Sequence, residues 1–388
     1  MARQQRPKVS AKDIKGLKYF RILQPFLQRL HDSGTERDRA GNRKLFFDQY
    51  GALLLLYFFS PILTSLRGIQ QASTLRKVQK RLGCDRVSRG SLSEASHVFD
   101  ADLLQEIIGE LATQSLPLQT GAEAEALKGL TAADGSLLPA LPKMAWALWV
   151  DDEHRAAKLH LQFDVLKGVP MAATITAGND SEHDQLRAKL QPGRLYVIDR
   201  GYAEYELFQD IIDAQSSFIG RLRDNAVYEV TEERLVSAEA RQAGVLRDRV
   251  VRLGCAKSGK VLRQPLRLVE VATGKTAALG RPETLLLASD RLELDASLIA
   301  LGYKYRWTVE LFFRWFKRIL GCRHLLATSQ NGVAIQAYMA VIASLLISLW
   351  TGRKPTKRTF EMLCLFFSGW AAEDELLSHL EKLEKERT

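Results

Sequence analysis

The chain has 388 residues, a formal net charge of +10 and a pI of about 9.4. That length allows two or three domains with a sizeable core, and the apolar and charged fractions are those of a soluble globular protein. The excess of positive charge points to an anionic partner, either nucleic acid or a membrane surface.

Residues 1–50 carry twelve Lys or Arg against five acids. MARQQRPKVS has no apolar stretch after its charges and does not read as a secretory signal. Apolar residues at Leu17, Phe20, Leu23, Phe26, Leu27 and Leu30 follow helical spacing. A charge-rich loop, Asp32 to Arg43, leads to a second helix over Leu45–Phe59, stopped by Ser60-Pro61. A third helix is expected over Leu66–Leu82, bringing Arg67, Arg76, Lys77, Lys80 and Arg81, with Gly83 closing it. Ser91 or Ser93 then caps a helix carrying Val98, Phe99, Leu103 and Leu104. Residues 1–115 are thus expected to form a basic helical DNA-binding domain, in part helix-turn-helix-like.

After a linker-like break at 116–128 the pattern turns to strands. Leu130–Pro139 is a short strand centred on Asp134. Leu159–Leu166 and Met171–Ala177 are strands, Glu182–Leu190 is a helix, and Arg194–Asp199 is an apolar strand ending on Asp199. A turn at Arg200-Gly201-Tyr202, a helix over Glu204–Ala214 and a strand over Ser217–Leu222 complete an α/β pattern with a mixed sheet. Residues 223–283 carry twelve basic residues, short apolar runs and turns at Gly254, Ser258-Gly259 and Thr273-Gly274. They read as a β-rich insertion with a basic face. Thr284–Ala288 returns to strand. From His324 the chain is helical, with a core helix over Ala334–Trp350 and a C-terminal helical segment, 351–388. The longest apolar runs, Leu53–Phe59 and Ala337–Trp350, fall short of the roughly 20 residues of a membrane span.

Three acids stand out by context: Asp134 inside an apolar strand, Asp199 at the end of one, and Glu310 on an apolar helix. Carboxylates seldom occupy such places unpaired. Gathered together they would repel, and a divalent cation is the simplest relief. Hard oxygen donors select Mg²⁺ or Mn²⁺, and two such ions about 4 Å apart serve phosphoryl transfer. On one helix from Leu301 to Leu320, Tyr303, Arg306, Glu310 and Lys317 fall within an arc of roughly 60°, and the surrounding residues are apolar enough for a mostly buried helix. The plainer reading of Glu310 is an internal ion pair with Arg306 or Arg314. Asp151-Asp152-Glu153-His154 reads as a polar loop, and His160 as structural or supporting. The four scattered cysteines form no CxxC pair, which argues against a disulfide framework or a zinc site. No GxxxxGK[ST] loop implies a nucleotide cofactor, and no GxSxG implies a hydrolase triad.

The spacing Tyr303, two residues, Arg306, three residues, Glu310, six residues, Lys317 resembles the signature of the DDE transposases of the insertion-sequence-four family. Ala133-Asp134-Gly135-Ser136 resembles the family's first catalytic strand, and Val197-Ile198-Asp199-Arg200-Gly201-Tyr202 its second. The resemblance runs over roughly Asp134 to Trp350. It implies a ribonuclease-H-like core, residues 125–222 and 284–350, interrupted by the insertion at 223–283. It implies Asp134, Asp199 and Glu310 as metal ligands, with Tyr303, Arg306 and Lys317 on the phosphates of the transposon end and Arg200 as a helper. Trp307, beside Arg306, would stack on a displaced base or else pack in the core. The function implied is cleavage of the ends of an insertion sequence and joining to target DNA, by a cytoplasmic protein dimeric on DNA. The rival expectations are a nuclease of the same fold and a non-catalytic DNA-binding descendant.

Overall fold

The computed structural model describes residues 18–33, 43–151, 154–255, 260–276, 282–321 and 325–385. The basic residues before 18, most of the charge-rich loop, Asp152, Glu153, the Ser258-Gly259 turn, Cys322 and His324 lie outside them.

The chain begins with helices α1 Lys18–Ser33, α2 Phe47–Phe59, α3 Leu66–Ala72, α4 Arg76–Leu82, α5 Arg89–Val98 and α6 Asp102–Gln114. The helix expected over Leu66–Leu82 is two helices. Between them the Ser73 hydroxyl donates to Gln70 O at 2.6 Å and accepts from Val87 N–H at 3.1 Å, and Thr74 Oγ1 donates to Gln71 O at 2.7 Å. Hydroxyls bonded to helix carbonyls in this way compete with the helical backbone bonds and weaken the helix there. Gly83 closes α4 in the left-handed region, φ +61°. The cap of α5 is Ser88, not Ser91 or Ser93: its Oγ accepts from Ser91 N–H at 3.0 Å.

A short helix, α7 Ala122–Ala126, leads into the sheet. Strands β1 Leu130–Pro139, β2 Ala156–Asp164 and β3 Val169–Ala177 form an antiparallel meander. After α8 Glu182–Arg187, β4 Leu195–Ile198 runs parallel to β1. A 3₁₀ turn at Arg200–Tyr202 and α9 Tyr205–Asp213 then carry the chain to β5 Ser217–Arg221, parallel to β4. Next come β6 Tyr228–Arg234, α10 Ala238–Gln242, β7 Val245–Cys255, β8 Lys260–Val261, β9 Leu266–Thr276 and β10 Pro282–Ser289. The sheet order is β3-β2-β1-β4-β5-β10-β9-β7-β6. The stretch expected as an insertion therefore does not stand apart. Its strands extend the central sheet through β10, which pairs antiparallel with β5.

Part of the expected basic face of that stretch is turned inward. Arg267 and Asp248, 6% and 2% exposed, form a bidentate pair at 2.5 and 2.6 Å. Arg267 also donates to the carbonyls of Leu292 and Leu294, which ties β9 to the approach to the next helix. Arg249, likewise buried, pairs with Glu270 at 3.3 Å. Arg223, Arg241, Arg247, Arg252 and Arg263 remain exposed.

Helices α11 Ala296–Tyr305, α12 Trp307–Gly321, α13 Gln330–Thr351, α14 Lys357–Phe367 and α15 Glu373–Lys385 complete the chain. Helix α13 is apolar on all sides and buried from Gly332 to Ser348. Its length and hydropathy would suit a membrane span, but 94% of its most apolar window is buried inside the protein. One core cluster runs from Leu23 of α1 through α13 to Leu376 of α15. At the start of α13, Asn331 donates to Ser96 O and Phe99 O and accepts from Ala101 N–H. Tyr338 accepts from Ile175 N–H of β3. The N-terminal helices thus share the core of the sheet; the break near residue 115 is one of chain pattern, not of packing.

Candidate active site

The parallel strands β1, β4 and β5 deliver side chains to one end of the sheet, where α/β proteins place their sites. Asp134 lies midway along β1, opposite Leu161 of β2. Its side chain is 18% exposed, and Gly135 N–H donates to its Oδ1 at 2.8 Å. Burial pushes its carboxyl up to about 7 from the ordinary 3.8. The Gly135 N–H and Arg306 oppose the rise, and Asp199 and Glu182 add to it. Asp199 ends β4 and caps the 3₁₀ turn, with Oδ1 accepting from Gly201 N–H at 2.7 Å.

A further acid, Glu182, stands beside these two and was not singled out from sequence. It opens α8, whose cap is Ser181. Lys158 Nζ of β2 lies 3.3 Å from its Oε1. A Cβ on Gly135 would come within 2.8 Å of the same oxygen, so the close approach depends on glycine there. Tyr202, 2% exposed, lies near Glu182. Burial, then Glu182, Asp134 and Asp199, raise its hydroxyl well above the usual phenol range. The one local signal for Glu182 is an acid in the first turn of a capped helix, which serves equally well for the helix dipole. Beyond Tyr202 an open cleft of about 360 Å³ is lined by His183, Glu204, Tyr205, Arg223 and Asn225.

The third expected acid arrives from the helices. The helix expected from Leu301 to Leu320 breaks at Arg306, where the bonding tightens to i→i+3: Arg306 N–H to Tyr303 O at 3.1 Å and Val309 N–H to Arg306 O at 3.2 Å. Past the break, α12 buries Val309, Phe312, Phe313, Trp315 and Phe316 and turns its other face to solvent. Trp307 and Leu311 are each 49% exposed, so Trp307 is not a core residue. The Arg314 guanidinium lies over its ring at 5.0 Å. The expected mostly buried helix is thus amphipathic, because only one stripe of it packs inward.

Arg306 is the centre of the site. Its Nη2 is 2.5 Å from Glu310 Oε1, one helical turn on, and its Nη1 is 3.7 Å from Asp134 Oδ2. Its guanidinium also lies 5.8 Å from the centre of the Tyr303 ring. The plainer expectation, an Arg306–Glu310 pair, is present, and it reaches on to Asp134. Lys317 is exposed on α12. Arg200 is more than half exposed and pairs with Asp224 after β5 at 3.5 Å.

Among the described residues no group of three or more His, Cys, Asp or Glu side chains is placed to hold a metal ion. The Arg306 guanidinium, in contact with both Asp134 and Glu310, supplies positive charge to these two acids. The chemistry of the donors nonetheless suits a hard divalent cation. Asp134, Asp199 and Glu310 offer only carboxylate oxygens, and Asp134, crowded by like charge and burial, gains most from a cation.

The remaining candidates are structural. His160 is buried, its Nε2–H donating to Thr176 Oγ1 at 2.8 Å, while Thr176 donates to Ala177 O. Burial, then Lys158, pushes its pKa down to about 4, so it is neutral. Asp151 accepts from the His154 backbone N–H and contacts its ring, as a loop closure does. Cys84 and Cys364 are buried.

Residues 125–346 match the family described as Transposase DDE domain. A Sinorhizobium fredii protein named as transposase y4zB is 31% identical over 262 residues, 66% of this chain and 70% of that one. A Geobacillus stearothermophilus protein, named as the transposase of insertion sequence element IS5377, is 24% identical over 233 residues, 58% of this chain and 59% of that one. Among solved structures, the piggyBac transposase in a synaptic complex with hairpin DNA aligns with a TM-score of 0.43 at 9% identity, over 97% of this chain and 82% of that one.

Proposed function

The chain belongs to the DDE transposases, and we propose that it cleaves the ends of its own insertion sequence and joins the freed 3′-hydroxyls to target DNA. Transposase action on DNA follows from the family; the chemistry and the residue roles are this proposal. The strand order β3-β2-β1-β4-β5, with an antiparallel meander followed by two parallel strands, supports a ribonuclease-H-like core, extended at β5 by the strands of residues 223–283.

Family membership implies a divalent metal. Asp134, Asp199 and Glu310 would hold Mg²⁺ or Mn²⁺, as two ions. When bound, such ions activate an attacking oxygen and stabilise a leaving one at phosphorus. The chain's own residues orient the DNA around that point. Arg306 forks a phosphate, Tyr303 and Lys317 hold neighbouring ones, and Arg200 helps from the second strand end. Trp307, already half exposed with Arg314 on one face, stacks on a displaced base. The exposed Arg67, Arg76, Lys77, Lys80, Arg81, Arg86 and Arg89, around α3, α4 and the start of α5, track the DNA backbone in the N-terminal region. The protein works in the cytoplasm, as a homodimer when on DNA, without a nucleotide cofactor.

The observation that carries this reading is that β1 and α12, far apart in sequence, bring Asp134 and Glu310 to one guanidinium, with Asp199 near enough to Asp134 to raise its pKa. The test is Glu310→Gln on an oligonucleotide duplex carrying the element's terminal repeat, with Mg²⁺ for cleavage and Ca²⁺ for binding. Cleavage should fall by orders of magnitude while end binding survives. Normal cleavage by the variant would remove Glu310 from the site. Cleavage without joining by the unaltered protein would make it a nuclease, and binding without cleavage a DNA-binding descendant.

A further inference from the structure

Arg306 is held as a cation would be held. Its side chain is only 14% exposed, and it faces acids from two elements at once: Asp134 Oδ2 at 3.7 Å and Glu310 Oε1 at 2.5 Å. The arrangement is incomplete for the arginine itself, because its Nε–H is buried and makes no hydrogen bond. An unmet buried donor is costly, and a guanidinium offers five N–H groups in a fork that suits a phosphate better than two carboxylates at unequal distance. Arg306 also sits at the junction of α11 and α12, where regular helical bonding is already interrupted. Its backbone is helical, φ −51° and ψ −35°, so the side chain swings by rotation about its own χ angles.

We infer that Arg306 gates cation binding under the control of DNA: without DNA its guanidinium occupies the place between Asp134 and Glu310 that a divalent cation takes, and a DNA phosphate draws it out. This inference rests on the function proposed above. In the DNA-free chain an incoming ion must displace a charge already paired with two carboxylates, so it binds weakly. On DNA, Arg306 has an anion of its own, and the carboxylates are released to the ion. Cation and DNA then bind with positive coupling, which by linkage is the same factor in either direction. The cutting site is thereby completed on DNA and not before.

The experiment is calorimetric titration of the full chain with Ca²⁺, with and without the terminal-repeat duplex. The unaltered protein should bind Ca²⁺ at least tenfold more tightly with DNA than without. Arg306→Ala should bind Ca²⁺ without DNA at least tenfold more tightly than the unaltered protein does, and DNA should change that little. Arg306→Gln keeps the bulk and a hydrogen-bonding end without the charge. It should behave in the same way, and it replaces the alanine variant if that one melts early. A variant that binds Ca²⁺ no more tightly than the unaltered protein overturns the inference, as does an unaltered protein whose Ca²⁺ affinity ignores DNA. The double variant Arg306→Ala/Glu310→Gln separates the two readings. If it loses the tight Ca²⁺ binding of Arg306→Ala, both the gate and the cation site hold. If it keeps that binding, Glu310 is not a ligand and both fail. An ungated protein whose own Ca²⁺ binding is lost in Glu310→Gln leaves the proposed function standing and sinks only the gate.

Discussion

Asp134→Asn should stabilise the metal-free protein, and by an amount that grows with pH. The carboxyl is 18% exposed, and its pKa is pushed from 3.8 to about 7, first by burial. A group whose folded pKa is raised contributes its full stability below the unfolded value, here about 3.8, and loses it as pH rises through about 7. A rise of this size corresponds to about 4 kcal/mol at 1.36 kcal/mol per pH unit, an upper figure for a carboxyl that retains some solvent. Asparagine keeps the shape and has no charge to desolvate. The two proteins should therefore melt alike near pH 4, and the variant should be ahead by several degrees at pH 8, with the gap flat above neutrality. The assay is thermal unfolding in chelator across that range. Adding Mn²⁺ at pH 8 should close the gap by stabilising only the carboxylate form. A gap that is constant from pH 4 to pH 8 would refute the reasoning, because it would mean that Asp134 keeps an ordinary pKa in the folded state.

Asp248→Ala leaves Arg267 buried without its bidentate partner, and chemical denaturation should show a loss of about 3–5 kcal/mol. Gly135→Ala places a Cβ within 2.8 Å of Glu182 Oε1, an oxygen already engaged by Lys158; a loss of about 1–2 kcal/mol in the same measurement is expected. DNA affinity should fall steeply with salt, and Lys77→Ala and Arg81→Ala should each weaken binding about equally on any sequence. Each should also lower the log–log salt slope by up to about 0.9 if the residue meets one phosphate; an unchanged slope in both would remove α4 from the DNA face.

What the sequence determined by itself was most of what depends on neighbours along the chain, the helix break at Ser73 and the Ser88 cap excepted. The alternation and apolar runs placed β1, β4 and β5, the all-round apolar pattern of α13 marked a core helix, and the spacing Tyr303, Arg306, Glu310, Lys317 pointed to the transposases. Tertiary structure decided where charges end up, because the partner of a buried charge comes from another element. Glu182 joins Asp134 and Asp199 only because α8 packs beside β1. Arg249 and Arg267, which look like part of a DNA-facing surface in the linear chain, are consumed by Glu270 and Asp248 once β7 pairs with β9. Helical periodicity drew one continuous helix through Arg306, since nothing local forbids it. The break falls at Arg306, which reaches Glu310 one turn on and Asp134 on the sheet, and the second of these partners is one that no stretch of neighbouring residues contains.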